Sequence, residues 1–302
     1  MDKQGKIEKR ALLVGALTYL TMGIFGWYTH YRSNSEAMLL EGNYNMVNAM
    51  ASFIGYYVVQ IRNKKTETFP WGQYLYESLY ALVKGILILG ILTAALWENG
   101  VKIYDYLFHG KSHEVNTGPI YYMVLLSIIL CFSLAAYFRK SNDMTNGNST
   151  MLKTDTKAAM IDGYLSLFGG GSLILMIFLG GKIQRLEFLK YIGDALVVLV
   201  FELIMIKEPF HIIKENFIEL TGGQINSKKD WDFIQQNIKN QFNETFEISH
   251  VYVTKTGSQY LILIYLNTLM DNISYPEVLK FKEQVSLKLR ESYYNFNLEI
   301  II

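Results

Sequence analysis

The sequence predicts an α-helical membrane protein in which a transmembrane helical bundle is followed by a small α+β domain. Three observations support this fold class. Apolar runs of about 20 residues recur through the first two thirds of the chain. Hydrophobic residues make up 51% of the 302 residues and charged residues 18%, below the roughly 25% typical of soluble domains. Beyond Pro209 the apolar runs give way to alternating helix-like and strand-like patterns.

Six apolar runs are each about long enough to cross a bilayer as a helix. They lie near residues 11–31, 37–61, 76–100, 119–138, 156–181 and 189–207. An even number of crossings places both chain termini on one side of the membrane. Lys and Arg are more frequent on the side that holds the N-terminus, Arg62 and Arg139. The positive-inside rule therefore predicts that both termini are cytoplasmic.

Residues 209–302 have the pattern of a separate soluble domain, which leaves 1–208 as the transmembrane domain. The predicted elements are a helix over 228–242, two strand-like runs on either side of Gly257-Ser258, a helix near 275–292 and a terminal strand. A Gly-Ser pair between two alternating runs is a hairpin signal. The order α-β-β-α-β predicts a two-layer, ferredoxin-like cytoplasmic domain.

Asp162 is a lone carboxylate at the head of an uncharged run that extends to residue 181. A charge within a membrane span is costly unless it faces a bundle interior or a water-filled cavity. We therefore expect Asp162 to mark the pathway of an ion through a membrane transporter. The alternative is an interhelical hydrogen-bond partner that has no role in transport.

Two spans carry polar stripes with matching offsets, which predicts that they face one another around a single site. The second span contributes Glu41, Tyr44, Asn45, Asn48 and Ser52, and the fifth contributes Asp155, Ala158, Ala159, Asp162 and Ser166. In a six-span topology these helices run in opposite directions. We then expect Asn48 to meet Asp162, while Glu41 and Asp155 line the entrance or the exit.

Four local motifs occur in an order that resembles a known family of transporters. They are LLEG followed by Asn48, FPWGQYLYESL at 69–79, MIDGYLS at 160–166 and YIGDAL at 191–196. Together they resemble the cation diffusion facilitators. That resemblance implies a six-span metal/proton antiporter with a cytoplasmic ferredoxin-like domain that dimerises.

The resemblance also implies a four-residue metal site, at Tyr44, Asn48, Ala158 and Asp162. Asp162 matches the usual pattern of that site, whereas Ala158 has no donor atom. Zinc prefers nitrogen and sulfur ligands. An oxygen-rich set made of Asp162, Asn48, Tyr44 and Asn45 instead favours manganese, magnesium or iron(II).

These features predict a carrier that exports a divalent cation from the cytosol in exchange for protons. Its expected partners are the lipid bilayer and a second copy of the chain, with no bound cofactor and no nucleic acid. An alternative is a transport-incompetent relative that acts as a membrane scaffold or regulatory partner. An enzyme is not expected, because the sequence offers no nucleophile–base pair or cofactor motif.

The remaining polar residues of the spans have structural or accessory interpretations. Lys84 is expected to pair with Glu77 or Asp194, and Asp194 or Glu202 to relay protons. The single cysteine, Cys131, is expected to be a small packing residue. His109 and His113 are four residues apart, but the intervening Gly110 favours a loop over a helical metal site.

Overall fold

A computed structural model describes residues 3–110, 118–147, 149–182, 188–225, 227–239, 246–268, 275–290, 293 and 295–301. The membrane part contains helices α1 Lys3–Ser33, α2 Glu36–Ile61, α3 Leu75–His109, α4 Gly118–Asp143, α5 Thr150–Tyr164, α6 Gly171–Lys182 and α7 Leu189–Met205. A π-helical turn, Leu165–Gly170, joins α5 to α6. All six predicted apolar runs are therefore helical.

Four helical stretches are long and apolar enough to cross a membrane, which confirms a helical membrane protein. They are Gly5–Ser33, Leu75–His109, Gly118–Asp143 and Met151–Met176. The count of six crossings stays a prediction, because α2 carries the polar stripe and α7 has 17 residues. Helix α3 also extends beyond the predicted span, so His109 lies in a helix, while His113 is outside the described residues.

The first turn of α2 is held by a carboxylate of α7. Asp194 accepts hydrogen bonds from the Ser35 hydroxyl at 3.1 Å and from the backbone N–H groups of Glu36 at 2.5 Å and Ala37 at 3.2 Å. These N–H groups belong to the end of a helix, where no carbonyl of the same helix can accept them. Asp194 therefore fixes α2 against α7. Its negative charge also interacts favourably with the positive, N-terminal end of the α2 dipole.

Close packing against α1 fixes α2 from a second direction. A Cβ atom added at Gly26 of α1 would lie 2.7 Å from the Cα of Gly42 on α2, so neither position tolerates a side chain. Glycine at such contacts lets two helix backbones approach closely. Gly42 belongs to the LLEG motif, and the polar stripe of α2 begins at the residue before it.

The remaining elements are α8 Lys207–Leu220, α9 Lys228–Lys239, β1 Phe246–Thr256, β2 Gln259–Thr268, α10 Tyr275–Arg290 and β3 Phe296–Ile301. From α9 onward the described elements follow the predicted order α-β-β-α-β. Strand β2 lies between β1, which it pairs with antiparallel, and β3, which it pairs with in parallel. The ends of the two predicted helices, 240–242 and 291–292, lie outside the described residues. The assignment as ferredoxin-like stays a prediction.

The α+β domain packs its two helices on one sheet. Its core contains buried apolar side chains from both layers, including Ile234 of α9, Val253 and Ile262 of the sheet, and Phe281 of α10. Alternation along β2 buries Ile262, Ile264 and Leu266 on one face, as the strand period requires. Hydrophobic periodicity therefore accounts for the elements and the core of the α+β domain.

Helix α8 lies against the bundle. A Cβ atom added at Gly85 of α3 would meet Ile213 at 3.0 Å and Ile212 at 3.2 Å, so α3 and α8 are in close contact. Pro209 is the third residue of α8 and lies in its first turn, where a missing N–H costs little. The domain boundary between 208 and 209 stays a prediction.

A group of buried polar side chains joins the bundle to the β1–β2 hairpin, and we call it the junction cluster. It consists of the charged residues Glu8, Arg62 and Glu77 and the hydroxyl of Ser258. The Arg62 guanidinium pairs with Glu8 and, at 2.6 Å, with Glu77. The Ser258 hydroxyl donates a hydrogen bond to Glu77 at 3.1 Å. All four residues are at most 3% exposed, so the hairpin turn is attached to the bundle through a buried ion pair.

Candidate ion site

Polar side chains of four helices are buried in the interior of the bundle, and we call this group the Asp162 cluster. Its members are Tyr19 of α1, Tyr44, Asn45, Asn48 and Ser52 of α2, Cys131 of α4 and Asp162 of α5. Every member is buried, with Tyr44 the most exposed at 4%. The predicted polar stripe of α2 therefore faces the interior of the bundle.

Helices α2 and α5 run antiparallel, and two contacts set their register. A Cβ at Gly55 would lie 2.8 Å from the terminal methyl of Met151, and the Ser166 hydroxyl donates to Glu41 at 2.8 Å. This register places Asn45 level with Asp162, and Asn48 one turn further along, level with Ala158. The expected meeting of Asn48 with Asp162 is thus made by Asn45 instead.

The Asp162 carboxylate is fully buried, and one of its oxygens has a single weak donor. The Cys131 thiol donates to Oδ2 over 3.4 Å. The Asn45 side chain also lies within hydrogen-bonding reach of the carboxylate. Oδ1 has no hydrogen-bond partner among the described residues. A buried carboxylate oxygen in that state is expensive, which indicates a place for a ligand.

Other atoms of the cluster share this property. Within the described parts of the chain, no hydrogen-bond partner is found for the Tyr19 hydroxyl, the Asn45 carbonyl oxygen, both polar atoms of the Asn48 amide and the Ser52 hydroxyl. An unsatisfied buried polar group costs about 1–3 kcal/mol. Native proteins keep few of them, and several along one buried polar stripe are typical of a functional site.

Tyr44 combines packing with a position near the carboxylate. Its ring belongs to an apolar cluster with Leu40 and with Ile88 of α3. The register of α2 and α5 also places Tyr44 level with Asp162. Its hydroxyl is therefore a candidate oxygen ligand.

Glu41 and Asp155 are expected to line the entrance or the exit, but both side chains are buried and hydrogen-bonded. Glu41 accepts a hydrogen bond from Ser166. Asp155 pairs with Lys84 at 2.5 Å and lies 3.2 Å from the Tyr80 hydroxyl. Lys84 thus pairs with a carboxylate, as expected, but the named partners Glu77 and Asp194 are wrong. Tertiary packing brings α5 against α3, whereas spacing along one helix indicates Glu77.

The donor chemistry of the cluster is rich in oxygen. Among the described residues, no group of three or more His, Cys, Asp and Glu side chains is placed to hold a metal ion. Asp162 supplies the negative charge, and the amides of Asn45 and Asn48 supply neutral oxygens. Such a set can replace part of the hydration shell of a cation. Ala158 is buried and contributes no ligand.

Two further carboxylates of α7 have different environments. The Asp194 carboxylate accepts hydrogen bonds from the N-terminus of α2, and its Oδ2 lies 3.9 Å from Lys102 Nζ. Glu202 is 1% exposed, and neither of its carboxylate oxygens has a hydrogen-bond partner in the described part of the protein. Glu202 is thus a candidate for proton movement, whereas Asp194 has a structural role.

Sequence reasoning missed two residues of these clusters. Cys131 was interpreted as packing, but its thiol contacts Asp162. A cysteine within an apolar run gives no pattern that could reveal such a contact. Arg62 was used only as a marker of topology, although it is buried between two carboxylates. The sequence signal for the burial of Arg62 is the presence of two acidic residues, Glu8 and Glu77, near the ends of other helices.

A buried carboxylate among apolar helices, with one oxygen unpartnered among the described residues, is typical of membrane transporters for ions. Residues 12–221 match the cation efflux transmembrane domain, and the chain belongs to this family. The family confirms a transporter of metal cations and excludes an enzyme. The chain is also 24% identical to an uncharacterized transporter of Methanocaldococcus jannaschii over 236 residues, which cover 78% of this chain and 77% of the relative.

Proposed function

We propose that this protein exports a divalent metal cation from the cytosol in exchange for protons, through a site centred on Asp162. The observation that carries the proposal is the fully buried Asp162 carboxylate, whose free oxygen belongs to a group of unpartnered polar atoms. Asn45, Asn48 and Tyr44 complete the proposed ligand set. These oxygens suit manganese, iron(II) or magnesium.

Proton coupling is proposed from the charge of the site. A carboxylate that coordinates a divalent ion must be ionised, so protonation and metal binding compete for it. Lys84, a buried cation of the bundle, is already paired with Asp155. When the site opens to a more acidic side, protonation of Asp162 would release the metal. Glu202, whose oxygens are also unpartnered, is proposed to relay protons.

We further propose six crossings, two cytoplasmic termini, a ferredoxin-like cytoplasmic domain and a homodimer. Two loop residues give a matched test of orientation, since Asn34 and Asn146 are both exposed and have φ of 55° and 57°. In a Cys131→Ser background, a cysteine placed at Asn34 should react with an impermeant thiol reagent from outside. A cysteine at Asn146 should react only after permeabilisation. The reverse pattern would invert the proposed orientation.

Metal uptake into proteoliposomes tests the function. Asp162→Asn nearly preserves the shape of the side chain and removes its charge, so we expect metal uptake and metal-coupled proton movement to be lost. The melting temperature should not fall, because the substitution removes an unpaired buried charge. Asp194→Asn is the matched control. It removes a buried carboxylate that caps a helix, so it should lower stability and leave transport by the folded protein in place.

Ala158 favours a second candidate function, a transport-incompetent membrane scaffold. It lies level with Asn48 and lacks a donor atom, so one of the four family positions cannot bind metal. The same assay separates the two candidates. Uptake by the parent protein that depends on Asp162 supports the carrier. Absence of uptake of manganese, iron(II), magnesium, zinc and cadmium by the parent protein supports the scaffold.

A further inference from the structure

Two sulfur atoms lie beside the Asp162 carboxylate. Cys131 Sγ is 3.4 Å from Asp162 Oδ2, and the thioether sulfur of Met22 is 4.0 Å from Cys131 Sγ. All three side chains are fully buried. The sulfurs belong to α4 and α1, whereas the oxygen donors belong to α2 and α5. Soft and hard donors thus converge from four helices on one carboxylate.

The separations match those between ligands of one metal ion. Metal–sulfur and metal–oxygen bonds of about 2.3 and 2.0 Å in a tetrahedron place sulfur and oxygen about 3.5 Å apart, and two sulfurs about 3.8 Å apart. The observed separations of 3.4 and 4.0 Å are close to both. Only a small movement of these side chains is needed for one ion to reach Cys131 and Asp162 together.

Close helix packing holds the thiol at this position. A Cβ at Gly163, the residue after Asp162, would lie 3.3 Å from the Cβ of Cys131. Buried cysteine commonly packs as a small apolar residue. Here the thiol instead contacts a carboxylate whose second oxygen has no hydrogen-bond partner among the described residues. The carbonyl oxygen of Asn45, which is level with this carboxylate, has none there either. These unpartnered atoms are the independent indication of a ligand.

We propose that Cys131 is a ligand of the transported cation together with Asp162, and that Met22 provides a second soft donor. This inference rests on the proposed function and changes its substrate class: iron(II) stays, and softer ions replace magnesium and manganese. Thiolate and thioether sulfur favour soft and borderline ions, whereas carboxylate and carbonyl oxygen suit magnesium and manganese. The site then selects iron(II), cobalt(II), zinc and cadmium over magnesium and manganese.

Cadmium is the probe for a direct test, because Cys131 is the single cysteine of the chain. Titration of the full-length protein in detergent should produce an ultraviolet sulfur-to-cadmium charge-transfer band that saturates at one equivalent. Cys131→Ser, which keeps a hydrogen-bond donor to Asp162, should abolish the band. Cadmium that binds to the parent protein without this band, as measured by calorimetry, would overturn the proposal.

Transport selectivity provides the second measurement. The ratio of cadmium to manganese uptake in proteoliposomes should fall about 10- to 100-fold in Cys131→Ser, and by a smaller factor in Met22→Leu. Met123→Leu is the matched control, because Met123 is a buried methionine of α4 that packs in a different apolar cluster. Its ratio should equal that of the parent protein.

The outcomes separate this inference from the proposed function. If the parent protein carries none of these ions, the proposed function itself fails. If uptake depends on Asp162 but the cadmium-to-manganese ratio is the same in Cys131→Ser, the carrier stands and the sulfur ligand is overturned. A lower ratio in Cys131→Ser, with the parent ratio in Met123→Leu, supports both.

Discussion

The junction cluster and the Asp162 cluster are both buried and charged, but they differ in how their charges are balanced. In the junction cluster, Arg62 pairs with two carboxylates, and Ser258 adds a hydrogen bond to one of them. In the Asp162 cluster, no described cation pairs with the carboxylate, because Lys84 is bonded to Asp155. We call the first cluster balanced in the sense that each carboxylate contacts a cation, and the second unbalanced because Asp162 contacts none among the described residues.

This difference distinguishes a structural group from a functional one. Removing one partner of a buried ion pair leaves an uncompensated charge, so a balanced cluster holds the fold together. An unbalanced cluster costs stability until a ligand or a proton neutralises it, and a buried carboxylate without a cationic partner is typical of a functional site. Each of the following variants tests one side of this comparison.

The largest expected effect is that of Arg62→Met. It leaves Glu8 and Glu77 buried without their common cation, which should cost about 3–5 kcal/mol. We expect a large fall in the melting temperature, measured by fluorescence-detected size exclusion in detergent. Lys282→Met is the control, because its pair with Glu299 at 2.9 Å is partly exposed. Surface pairs contribute about 0–1 kcal/mol. Equal losses in both variants would contradict a structural role for the junction cluster.

The pair of Lys84 and Asp155 should respond to substitution in a non-additive way. Lys84→Met alone leaves the Asp155 carboxylate buried without its cation, and Asp155→Asn alone leaves a buried ammonium group. Each should lower the melting temperature by an amount that corresponds to several kcal/mol. The double variant should be more stable than either single variant, because it leaves no unpaired charge. Additive losses would show that the two side chains do not depend on one another.

The smallest effect concerns the hairpin turn that contacts the bundle. Gly257 has φ of 59°, and a Cβ there would lie 2.6 Å from the carbonyl oxygen of Tyr74. Gly222 has φ of 73° and open space around it, so its replacement by alanine measures the cost of the left-handed backbone conformation alone. Gly222→Ala should cost about 1–2 kcal/mol. Gly257→Ala should cost more, because it also pushes the hairpin away from α3. Equal losses of stability would place the hairpin away from the bundle.

The elements were predictable where hydrophobic periodicity decides the structure. The order α-β-β-α-β and the turn at Gly257-Ser258 follow from alternation and from glycine, which are local signals. The apolar runs gave the positions of the membrane helices for the same reason. Helix α8 was not predicted, because its amphipathic pattern follows a proline and its apolar face is directed at α3 rather than at a core of its own.

The site was predictable in composition but not in its pairings. A carboxylate at the head of an apolar run is conspicuous, so Asp162 and the polar stripe of α2 could be found from the residues. The partner of Lys84 and the contact between Cys131 and Asp162 depend on which helices are neighbours and on their register. These are properties of tertiary packing that spacing along one helix does not contain.

The central claim, that the unbalanced Asp162 cluster binds the transported cation, is tested most directly by locating a metal ion. Crystals of the full-length protein soaked with cadmium, or separately with manganese, should show an anomalous-scattering peak about 2.0–2.6 Å from Asp162 Oδ1. The same peak should be absent in Asp162→Asn. Ordered metal bound only at other carboxylates of the parent protein, with no peak between α2 and α5, would contradict the account.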